Sequence, residues 1–492
     1  MKLHHLLEQT KIEGSSEQDD REITALCLDS RKAIPGCLFF AIHGLKADGA
    51  HYAKDAAHQG AVAVITDTDI DLDIPVIRVA DVRVAMAQIA SVFYGDPSQA
   101  LRVFGITGTN GKTTSAFILK HICESSNMPC GLIGTVQYVI GNSILAAPRT
   151  TPESIELQEL IASMRDYGCR AVSMEVSSHA LVQHRVDGIE FDSAIFTNLT
   201  QDHLDYHQTM ERYFEAKVQL FEQLCLQKNK PAKAIINADD RYGQLLINRY
   251  GGRLPIITFG QGVLADFRAG NIRATPTGTT FQLEAKQKIF LVKLPLIGSF
   301  NVYNALGALA AATASGIDIH GAVHAMEKIP QVPGRLERVA TSRAFQVYVD
   351  YAHTPDALES ALKTLRLMSP RKIITVFGCG GDRDRGKRPL MGQAAEKNSD
   401  WCVVTSDNPR TEDPEQILKE ILTGMPGKNH ETVIDRKEAI RRAVDLAARG
   451  DIVLIAGKGH ETYQEINGRT IPFNDVAIAR SAIEDKPMEV MQ

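Results

Sequence analysis

The chain has 492 residues, of which 44 % are hydrophobic and 23 % are charged, an ordinary composition for a globular protein. Its net charge is −5, so no overall basic field favours binding to nucleic acid or to an anionic membrane. The eight cysteines are scattered without a CxxC pair, which favours reduced thiols over a disulfide framework. The first residues lack the apolar core of a signal peptide, and together these features predict a cytoplasmic protein.

Short apolar runs alternate with amphipathic helical stretches, which is typical of α/β domains with mostly parallel sheets. The predicted strands cover residues 61–67, 102–107, 171–178, 193–199, 233–239, 345–352, 372–378, 401–407 and 451–457. The run rich in alanine and glycine at 304–317 is too short to cross a bilayer and predicts a buried helix. Breaks at 93–101 and 329–339 predict three domains, at 1–98, 99–333 and 334–492.

A glycine-rich loop, GITGTNGKTT at 105–114, follows a predicted strand and opens a predicted helix. Its glycines would let backbone N–H groups face a phosphate, and the helix N-terminus adds partial positive charge. Lys112 could reach the terminal phosphates, and Thr113 or Thr114 could offer a hydroxyl to Mg²⁺. The spacing is a variant, because Ile106 stands where the GxxxxGK[ST] pattern has glycine. The strand-to-helix context disfavours a glycine-rich turn with an incidental lysine.

Ionisable residues near the following strands are candidates for a metal site. Glu175 lies in an apolar strand, where a carboxylate is costly unless it is paired or binds a cation. A glutamate on an edge strand that faces solvent is the alternative. Asp202 and His203 follow another strand, although surface histidines beside a helix cap explain them better when they are taken alone. Lys217, taken alone, looks like an ordinary lysine on a helix face.

Ten motifs occur in order along the chain: GITGTNGKTT, MEVSSHALVQHRV, TNLTQDHLDYH, EAKVQLF, GSFNVYNALGALAAA, VPGRLE, DYAHTPDALE, GCGGDRDRGKRPLMG, DNPR and AGKGHETYQ. Together they resemble the Mur ligases, ATP-dependent amide ligases of peptidoglycan precursor synthesis, over essentially the whole chain. The resemblance implies a smaller N-terminal α/β domain that binds a UDP-linked substrate and a central P-loop-type ATPase domain. It also implies a Rossmann-like C-terminal domain that binds an amino acid, and it suggests a monomer.

The resemblance implies ATP and Mg²⁺ as cofactors and assigns residues to them. The phosphate cradle would consist of Gly108, Thr109, Asn110, Gly111, Lys112, Thr113 and Thr114. Further expected ATP contacts are Asn301, Asn304, Arg335, Asp350 and His353. The expected metal ligands are Thr113, Glu175, His203 and Lys217, the last of them carbamylated so that it offers oxygen to a hard cation.

Lys112, Glu175, His203 and Lys217 are the expected catalytic residues. In this family the γ-phosphate passes to a substrate carboxylate, and an amine then attacks the acyl phosphate. Asn301 and Asn304 remain open to a second interpretation, because asparagine also caps helix starts.

The implied acyl substrate is UDP-N-acetylmuramoyl-L-alanyl-D-glutamate. Its expected contacts are Ser30, Thr150, Thr151, Ser177, Gln183 and Arg185. Two local interpretations are compatible with this assignment. Residues 29–31 form a plausible turn, and Thr151 followed by proline is a plausible helix start.

The DNPR motif at 407–410 predicts which amino acid is added. Turn chemistry explains Asp407, Asn408 and Pro409 but leaves Arg410 without a role, while Asp413 followed by proline predicts a helix start. Family members that add meso-diaminopimelate carry this arginine, whereas lysine-adding members replace it. Diaminopimelate has a second carboxylate, which a guanidinium can bind bidentately. The implied contacts are Arg383, Asp407, Asn408, Pro409, Arg410, Gly457 and Glu461, with Glu461 suited to the distal ammonium.

Other functions remain as alternatives. The first is another amide ligase of the superfamily: a lysine-adding or D-Ala-D-Ala-adding Mur ligase, folylpolyglutamate synthase or a cyanophycin synthetase. A P-loop NTPase switch would hydrolyse ATP without a carboxylate substrate. A catalytically dead scaffold is disfavoured because the expected catalytic residues are all present.

Overall fold

The structure is a computed structural model that describes residues 1–12, 20–44, 48–275 and 277–487. In chain order, its N-terminal region forms a four-stranded parallel sheet from β1 (Ala25–Cys27), β2 (Cys37–Phe40), β3 (Ala61–Thr66) and β4 (Val76–Arg78). The helices of this region are α1 (Leu3–Thr10), α2 (Ala53–His58) and α3 (Val82–Phe93), with 3₁₀ turns at Ser30–Lys32, Gly49–Tyr52 and Pro97–Ala100. The side chain of Asp81 caps α3 by accepting from two backbone N–H groups.

The middle region forms an 11-stranded sheet. Its strands are β5 (Arg102–Thr107), β6 (Cys130–Ile133), β7 (Gln137–Ile140), β8 (Ser143–Ala146), β9 (Ala171–Glu175), β10 (Ser193–Phe196), β11 (Lys233–Asn237), β12 (Ile256–Gly260), β13 (Phe267–Thr275), β14 (Gly278–Ala285) and β15 (Lys288–Leu294). They lie in the order β15-β14-β13-β12-β11-β10-β5-β9-β6-β7-β8, parallel from β13 to β6 and antiparallel at both ends. β5 therefore lies inside the sheet, between β10 and β9.

Helices pack on both faces of the middle sheet. They are α4 (Lys112–Ser125), α5 (Ser154–Tyr167), α6 (Ser178–Val182), α7 (Leu204–His207), α8 (Met210–Leu226), α9 (Arg241–Tyr250), α10 (Ser299–Ala314) and α11 (Ile319–Met326). One apolar cluster joins α4 and α10 to the sheet, and a second joins α5 and α8 to it. A parallel sheet covered on both faces needs apolar side chains on both, which explains the continuous apolar runs of its strands.

The C-terminal region contains a six-stranded sheet and a hairpin. Its strands are β16 (Glu337–Val339), β17 (Gln346–Asp350), β18 (Ile373–Phe377), β19 (Trp401–Val404), β20 (His430–Thr432), β21 (Ile452–Ala456), β22 (Tyr463–Ile466) and β23 (Arg469–Pro472). Its helices are α12 (Pro355–Arg366), α13 (Lys387–Asn398), α14 (Pro414–Leu422), α15 (Arg436–Leu446) and α16 (Asp475–Asp485). The sheet order is β16-β17-β21-β18-β19-β20, with only β16 antiparallel, and β22 pairs with β23. The carboxyl ends of β17, β18, β19 and β21 therefore meet at one edge of the sheet.

The predicted α/β class with mostly parallel sheets is confirmed. Each of the nine predicted strands is present, although several end earlier than predicted because a turn or cap follows directly. The predicted buried helix is α10, which begins five residues before the predicted start. All eight cysteines are free. In the part of the chain that the structure describes, every helix is too short or too polar to span a membrane.

Candidate active site

The glycine-rich loop connects the carboxyl end of β5 to the N-terminus of α4, as predicted. Gly108 and Gly111 have φ values of +145° and +88°, a region that side chains disfavour. A Cβ atom at Gly108 would collide with Thr197, and one at Gly111 would collide with Asn304. The loop therefore needs glycine at both positions, because its backbone lies against Thr197, which follows β10, and against Asn304 of α10.

Lys112 is folded back over this loop. Its Nζ donates to the carbonyl oxygens of Gly108 and Thr109, both at 2.9 Å. Burial lowers the pKa of Lys112, while the negative charges of Glu175 and Asp202 oppose that shift. A phosphate placed at the helix N-terminus would offer this ammonium a charged partner in place of two carbonyl oxygens.

Glu175 lies at the carboxyl end of β9, between β5 and β6, and is 1 % exposed. The alternative of a solvent-facing edge-strand glutamate is therefore wrong. Its Oε2 accepts from the hydroxyls of Thr113 at 3.1 Å and Thr135 at 3.0 Å, and its Oε1 accepts from the Thr135 backbone at 2.8 Å. Arg335, which follows the middle region in the chain, donates to the Thr113 hydroxyl at 3.0 Å. The carboxylate of Glu175 and the hydroxyls of Thr113 and Thr135 thus form an oxygen-rich wall beside the glycine-rich loop, and Arg335 contacts this wall through Thr113.

Lys217 is buried on the inner face of α8, at 1 % exposure, so the interpretation as an ordinary helix-face lysine is wrong. Its Nζ donates to the Gly108 carbonyl oxygen at 2.9 Å and lies 4.6 Å from the centre of the Tyr213 ring. Burial, and next the charge of Lys112, hold the pKa of Lys217 well below its ordinary value. These surroundings favour the neutral amine, which is the form that reacts with CO₂.

His203 lies at the start of α7, with φ +55°. Its Nε2 is 3.5 Å from Oδ2 of Asp202, and its ring is 4.9 Å from that of His179, measured between centres. Burial is the main cause of a lowered pKa at His203, although Asp202 opposes it. The helix-cap part of the alternative interpretation holds, since His203 occupies the cap position, but its side chain makes no capping hydrogen bond.

A cavity of about 440 Å³ contains this wall and extends toward the C-terminal sheet. Most of the predicted nucleotide residues line it: Thr109, Asn110, Gly111, Lys112, Thr113, Thr114, Asn304, Arg335, Asp350 and His353. Asn301 does not line the cavity but supports Asn304: Nδ2 of Asn304 donates to Oδ1 of Asn301 at 2.9 Å. The helix-cap interpretation of both asparagines is wrong, because α10 begins at Ser299 with Gly298 in the cap position.

Asp350 and His353, at the carboxyl end of β17 and just after it, also line this cavity. Asp350 accepts from the backbone N–H groups of Leu336 at 2.6 Å and Ala352 at 2.8 Å, and burial raises its pKa. Nδ1 of His353 lies 2.9 Å from the Tyr351 carbonyl oxygen, and burial lowers its pKa. The guanidinium of Arg335 stacks over the Tyr351 ring at 4.6 Å from its centre.

The residues predicted to contact the muramoyl dipeptide form a cluster next to Glu175. Thr151 Oγ1 donates to the Glu175 carbonyl oxygen at 2.9 Å and accepts from the Ser177 backbone at 3.1 Å. Arg185 donates to the Thr151 carbonyl oxygen at 2.9 Å and to Gln183 at 2.6 Å. Thr150 lies within hydrogen-bond distance of Thr135, at 3.0 Å between hydroxyls. The structure thus brings five of these six residues together.

Two local expectations around this substrate have different outcomes. The helix start predicted with Thr151 as the cap is wrong by two residues: Glu153 occupies the cap position, and α5 begins at Ser154. Ser30 lies in the turn that was predicted, where Asp29 accepts from the Arg31 backbone at 3.1 Å. Among the described residues, no hydrogen bond joins Ser30 to the cluster at Glu175.

A second cavity, of about 640 Å³, opens at the carboxyl edge of the C-terminal sheet. The predicted amino-acid contacts that line it are Arg383, Asp407, Asn408, Arg410, Gly457 and Glu461. Pro409 is buried beneath the loop, with its carbonyl oxygen against Gly381, and does not line the cavity. Asp202, His203 and His353 line both cavities, which therefore adjoin.

Arg410 is held in this cavity by main-chain and side-chain contacts. Its backbone has φ +53° and bonds to the β22–β23 hairpin through Glu465 and Asn467. Its Nη1 donates to the Gly381 carbonyl oxygen at 2.7 Å, and its Nε lies 3.2 Å from a carboxylate oxygen of Glu465. As predicted, Asp413 caps α14, with proline as its first residue. The DNPR segment is therefore both a turn and a wall of the cavity.

The prediction from sequence missed four residues that line the cavities, Thr135, Tyr213, Tyr351 and Lys387. It also missed Lys458 and Glu465, which contact the lining residues Asn408 and Arg410 from behind. Tyr351 and Lys458 stand inside motifs that were identified, so their positions next to assigned residues were a usable signal. Thr135 carries no such signal, because its contacts with Glu175 depend on how β6 and β9 pair.

A phosphate-binding loop at an inner strand of one parallel sheet, with an adjoining polar cavity at the edge of a second, defines a nucleotide-dependent α/β enzyme that brings two substrates together. Comparison with known proteins names the family. The chain belongs to the Mur ligase family: models of the Mur ligase family catalytic domain, the Mur ligase middle domain and the Mur ligase glutamate ligase domain match residues 22–94, 106–312 and 334–459.

Individual relatives match over nearly the whole chain. A UDP-N-acetylmuramoyl-L-alanyl-D-glutamate–2,6-diaminopimelate ligase from Geobacillus thermodenitrificans is 46 % identical over 99 % of this chain and 100 % of its own length. A solved structure of a ligase with the same name is 37 % identical, with a TM-score of 0.71 and coverage of 98 % and 99 %. The MurF ligase from Thermotoga maritima in complex with ADP shares the fold at 18 % identity, with a TM-score of 0.65 and coverage of 95 % and 98 %.

Proposed function

We propose that this protein is the ATP-dependent ligase that adds meso-2,6-diaminopimelate to UDP-N-acetylmuramoyl-L-alanyl-D-glutamate, a step of peptidoglycan precursor synthesis. The observation that carries the proposal is the junction of the two cavities at Asp202, His203 and His353, with Arg410 in the wall of the second. A ligase needs an activated carboxylate and an amine to meet in one place. The name of the 46 % identical relative supports the same substrates.

ATP would bind in the cavity of the glycine-rich loop. The loop's N–H groups and Lys112 face its phosphates, and Arg335 reaches the terminal phosphate from the linker before the C-terminal sheet. Asn304, Asp350 and His353 complete the nucleotide contacts, with Asn301 orienting Asn304.

Mg²⁺ fits the same wall. Thr113 and Glu175 supply the oxygen ligands that this cation prefers, and Glu175 is buried there with hydroxyl partners. In the described ranges, no group of three or more histidine, cysteine, aspartate and glutamate side chains is arranged to hold a metal by itself. The ion would therefore depend on phosphate oxygens as well. When bound, Mg²⁺ neutralises the charge of the phosphates, and His203 and Lys217 would serve a second ion.

Lys217 would act as its carbamate. The neutral amine attacks CO₂ and loses one proton, which converts a buried uncharged group into a buried anion. Such an anion suits its place near the Lys112 ammonium, because opposite charges in a buried site attract strongly. The lowered pKa and the short distance to the loop support this modification.

The reaction follows from these positions. A carboxylate oxygen of the D-glutamate residue attacks the γ-phosphorus, and the bond to the β-phosphate oxygen breaks, which gives an acyl phosphate and ADP. The unprotonated amine of diaminopimelate attacks the acyl carbon, and the tetrahedral intermediate expels phosphate as the nitrogen loses a proton. Lys112 and Arg335 hold phosphate oxygens throughout, so that the protein contributes chiefly charge neutralisation and alignment.

Substrate binding would be distributed over three domains, at 1–98, 99–333 and 334–492. The first binds the UDP moiety through Ser30, and the second binds ATP and the dipeptide through Thr150, Thr151, Ser177, Gln183 and Arg185. The third binds diaminopimelate. We also propose that the protein is cytoplasmic, as its soluble substrates and its free cysteines suggest. The resemblance to the Mur ligases supports a monomer.

Phosphate release by the purified protein tests the proposal. With ATP, Mg²⁺ and the UDP-muramoyl dipeptide present, adding meso-diaminopimelate should start steady phosphate release and form a UDP-muramoyl tripeptide, detected by mass spectrometry. A panel with L-lysine and D-Ala-D-Ala separates the alternative ligases. Phosphate release that ignores both substrates would indicate an NTPase switch, and equal turnover of lysine would refute the specificity for diaminopimelate.

A further inference from the structure

Lys458 is a fully buried lysine between two loops that contact the proposed amino-acid site. It follows β21, inside the segment Gly457–Glu461, and has no exposed surface. Its Nζ donates to Oδ1 of Asn408 at 2.9 Å and to Oε2 of Glu461 at 2.7 Å. A buried ammonium is costly unless it is paired in this way. Lys458 and its two partners, Asn408 and Glu461, therefore hold one another in place.

The ammonium joins side chains from two different strand ends. Asn408 follows β19, and its Nδ2 donates to the same Glu461 oxygen at 2.9 Å. The backbone N–H of Glu465 also donates to Oδ1 of Asn408, at 3.0 Å. Oε2 of Glu461 therefore has two internal donors, whereas its Oε1 accepts no hydrogen bond from any described residue. Asn408 and Glu461 line the cavity, and Lys458 stands behind them.

We propose that Lys458 is a positioning residue that sets selectivity between amino acids differing at their distal end. This inference rests on the proposed function. The distal centre of diaminopimelate carries an ammonium and a carboxylate, with no net charge, whereas that of lysine is a lone ammonium. Lys458 offsets the charge of Glu461, so that the carboxylate orients a distal ammonium through Oε1 without strongly attracting an isolated cation.

Replacing Lys458 with methionine tests the inference, because methionine keeps an unbranched side chain only one atom shorter and removes the charge. The site becomes more negative by one unit, and Asn408 and Glu461 lose their shared donor. We expect kcat/KM for diaminopimelate to fall about 10- to 100-fold, mainly through KM, as is usual when buried polar groups lose a partner. kcat/KM for lysine should fall less than that for diaminopimelate, or should rise, while KM for ATP stays within about twofold of the wild-type value. Lys428→Met, at an exposed lysine of the same region, is the matched control.

A double-mutant cycle separates positioning from general loss of structure. In a Glu461→Gln background, Lys458→Met should change kcat/KM for diaminopimelate by less than about threefold, because the charge on which Lys458 acts is gone. Independent, multiplicative effects would overturn the inference, as would an equal rise in KM for ATP. If Lys458→Met does not fold, Lys458→Gln replaces it, since it keeps a donor for Asn408. If the wild-type protein is inactive with diaminopimelate, the proposed function is refuted. If the wild-type protein is active and the Lys458→Met variant behaves like it, only the role of Lys458 is refuted.

Discussion

Replacing Arg410 with alanine should selectively weaken the use of diaminopimelate. The side chain is anchored rather than free, since it donates to the Gly381 carbonyl oxygen and pairs with Glu465. Its Nη2 makes no hydrogen bond to any described residue, so part of the planar fork is available to a carboxylate in the cavity. The backbone at position 410 is held by the β22–β23 hairpin and would stay in place in the variant.

The magnitude follows from these contacts. A hydrogen bond to a charged group contributes about 1.5–3 kcal/mol, and each 1.4 kcal/mol is about a factor of ten. The expected loss of kcat/KM for diaminopimelate is therefore about 10- to 150-fold. Alanine has the same left-handed backbone strain as arginine, and the side chain of Glu465, which is 36 % exposed, can be hydrated after the loss of its partner. The stability of the fold should change little.

The assay is steady-state phosphate release with diaminopimelate, lysine and ATP varied in turn. KM for ATP should stay within about twofold of wild type, and the low activity with lysine should not fall, because lysine has no second carboxylate. Arg410→Lys keeps the charge but loses the fork, and it should lie between wild type and alanine. Arg449→Ala, at an exposed arginine of the same region, is the control. Equal falls in kcat/KM for ATP and diaminopimelate, or for lysine and diaminopimelate, would refute the proposed role of Arg410.

Three other changes test the remaining parts of the site and the fold. Arg335→Ala removes the donor to Thr113 and should raise KM for ATP about tenfold or more, measured by the same assay, with little change in KM for diaminopimelate. Lys217 should show a carbamate carbon signal by NMR in ¹³C-bicarbonate, and Lys217→Arg should lack both the signal and activity. Glu412→Gln should destabilise the fold by about 1–3 kcal/mol at pH 7, because the buried Arg388 guanidinium, its main partner, lowers the pKa of Glu412 to about 2. The difference in stability between wild type and variant, measured by thermal unfolding, should be complete above about pH 4.5. It should decline on acidification and vanish near pH 2, as the carboxylate becomes protonated in the folded state. A difference that does not change with pH would contradict the ion pair.

The strands of the parallel sheets were predictable because both of their faces are buried. β5, β18 and β21 are buried almost throughout and are largely apolar, a local pattern that predicts a strand in a covered parallel sheet. The antiparallel extension of the middle sheet was not predicted. In β14 and β15 buried and exposed residues alternate, since one face meets solvent, and their apolar signal is correspondingly weaker.

The side chains proposed as catalytic also differ in how far the sequence could predict them. Lys112 was predictable from the residues alone, because strand, glycine-rich turn and helix are neighbours in sequence. Lys217 was not, because its burial depends on how α8 packs against a loop 109 residues away in the chain. The failed helix start at Thr151 has a related cause: its hydroxyl bonds to the Glu175 main chain on another strand, and Glu153 takes the cap position instead.

The shared wall of the two cavities has a consequence for the acyl phosphate. Asp202 and His203 follow β10 of the middle sheet, whereas His353 follows β17 of the C-terminal sheet, so the junction exists only while the two sheets are close. Arg335 bonds to Thr113 across this boundary, and a bound γ-phosphate would add a charged partner to the same guanidinium. ATP should therefore stabilise the arrangement in which the amine cavity opens onto the reacting carboxylate. Diaminopimelate bound in that cavity, as proposed, would block the approach of water from this side, so that attack by the amine should be favoured over hydrolysis.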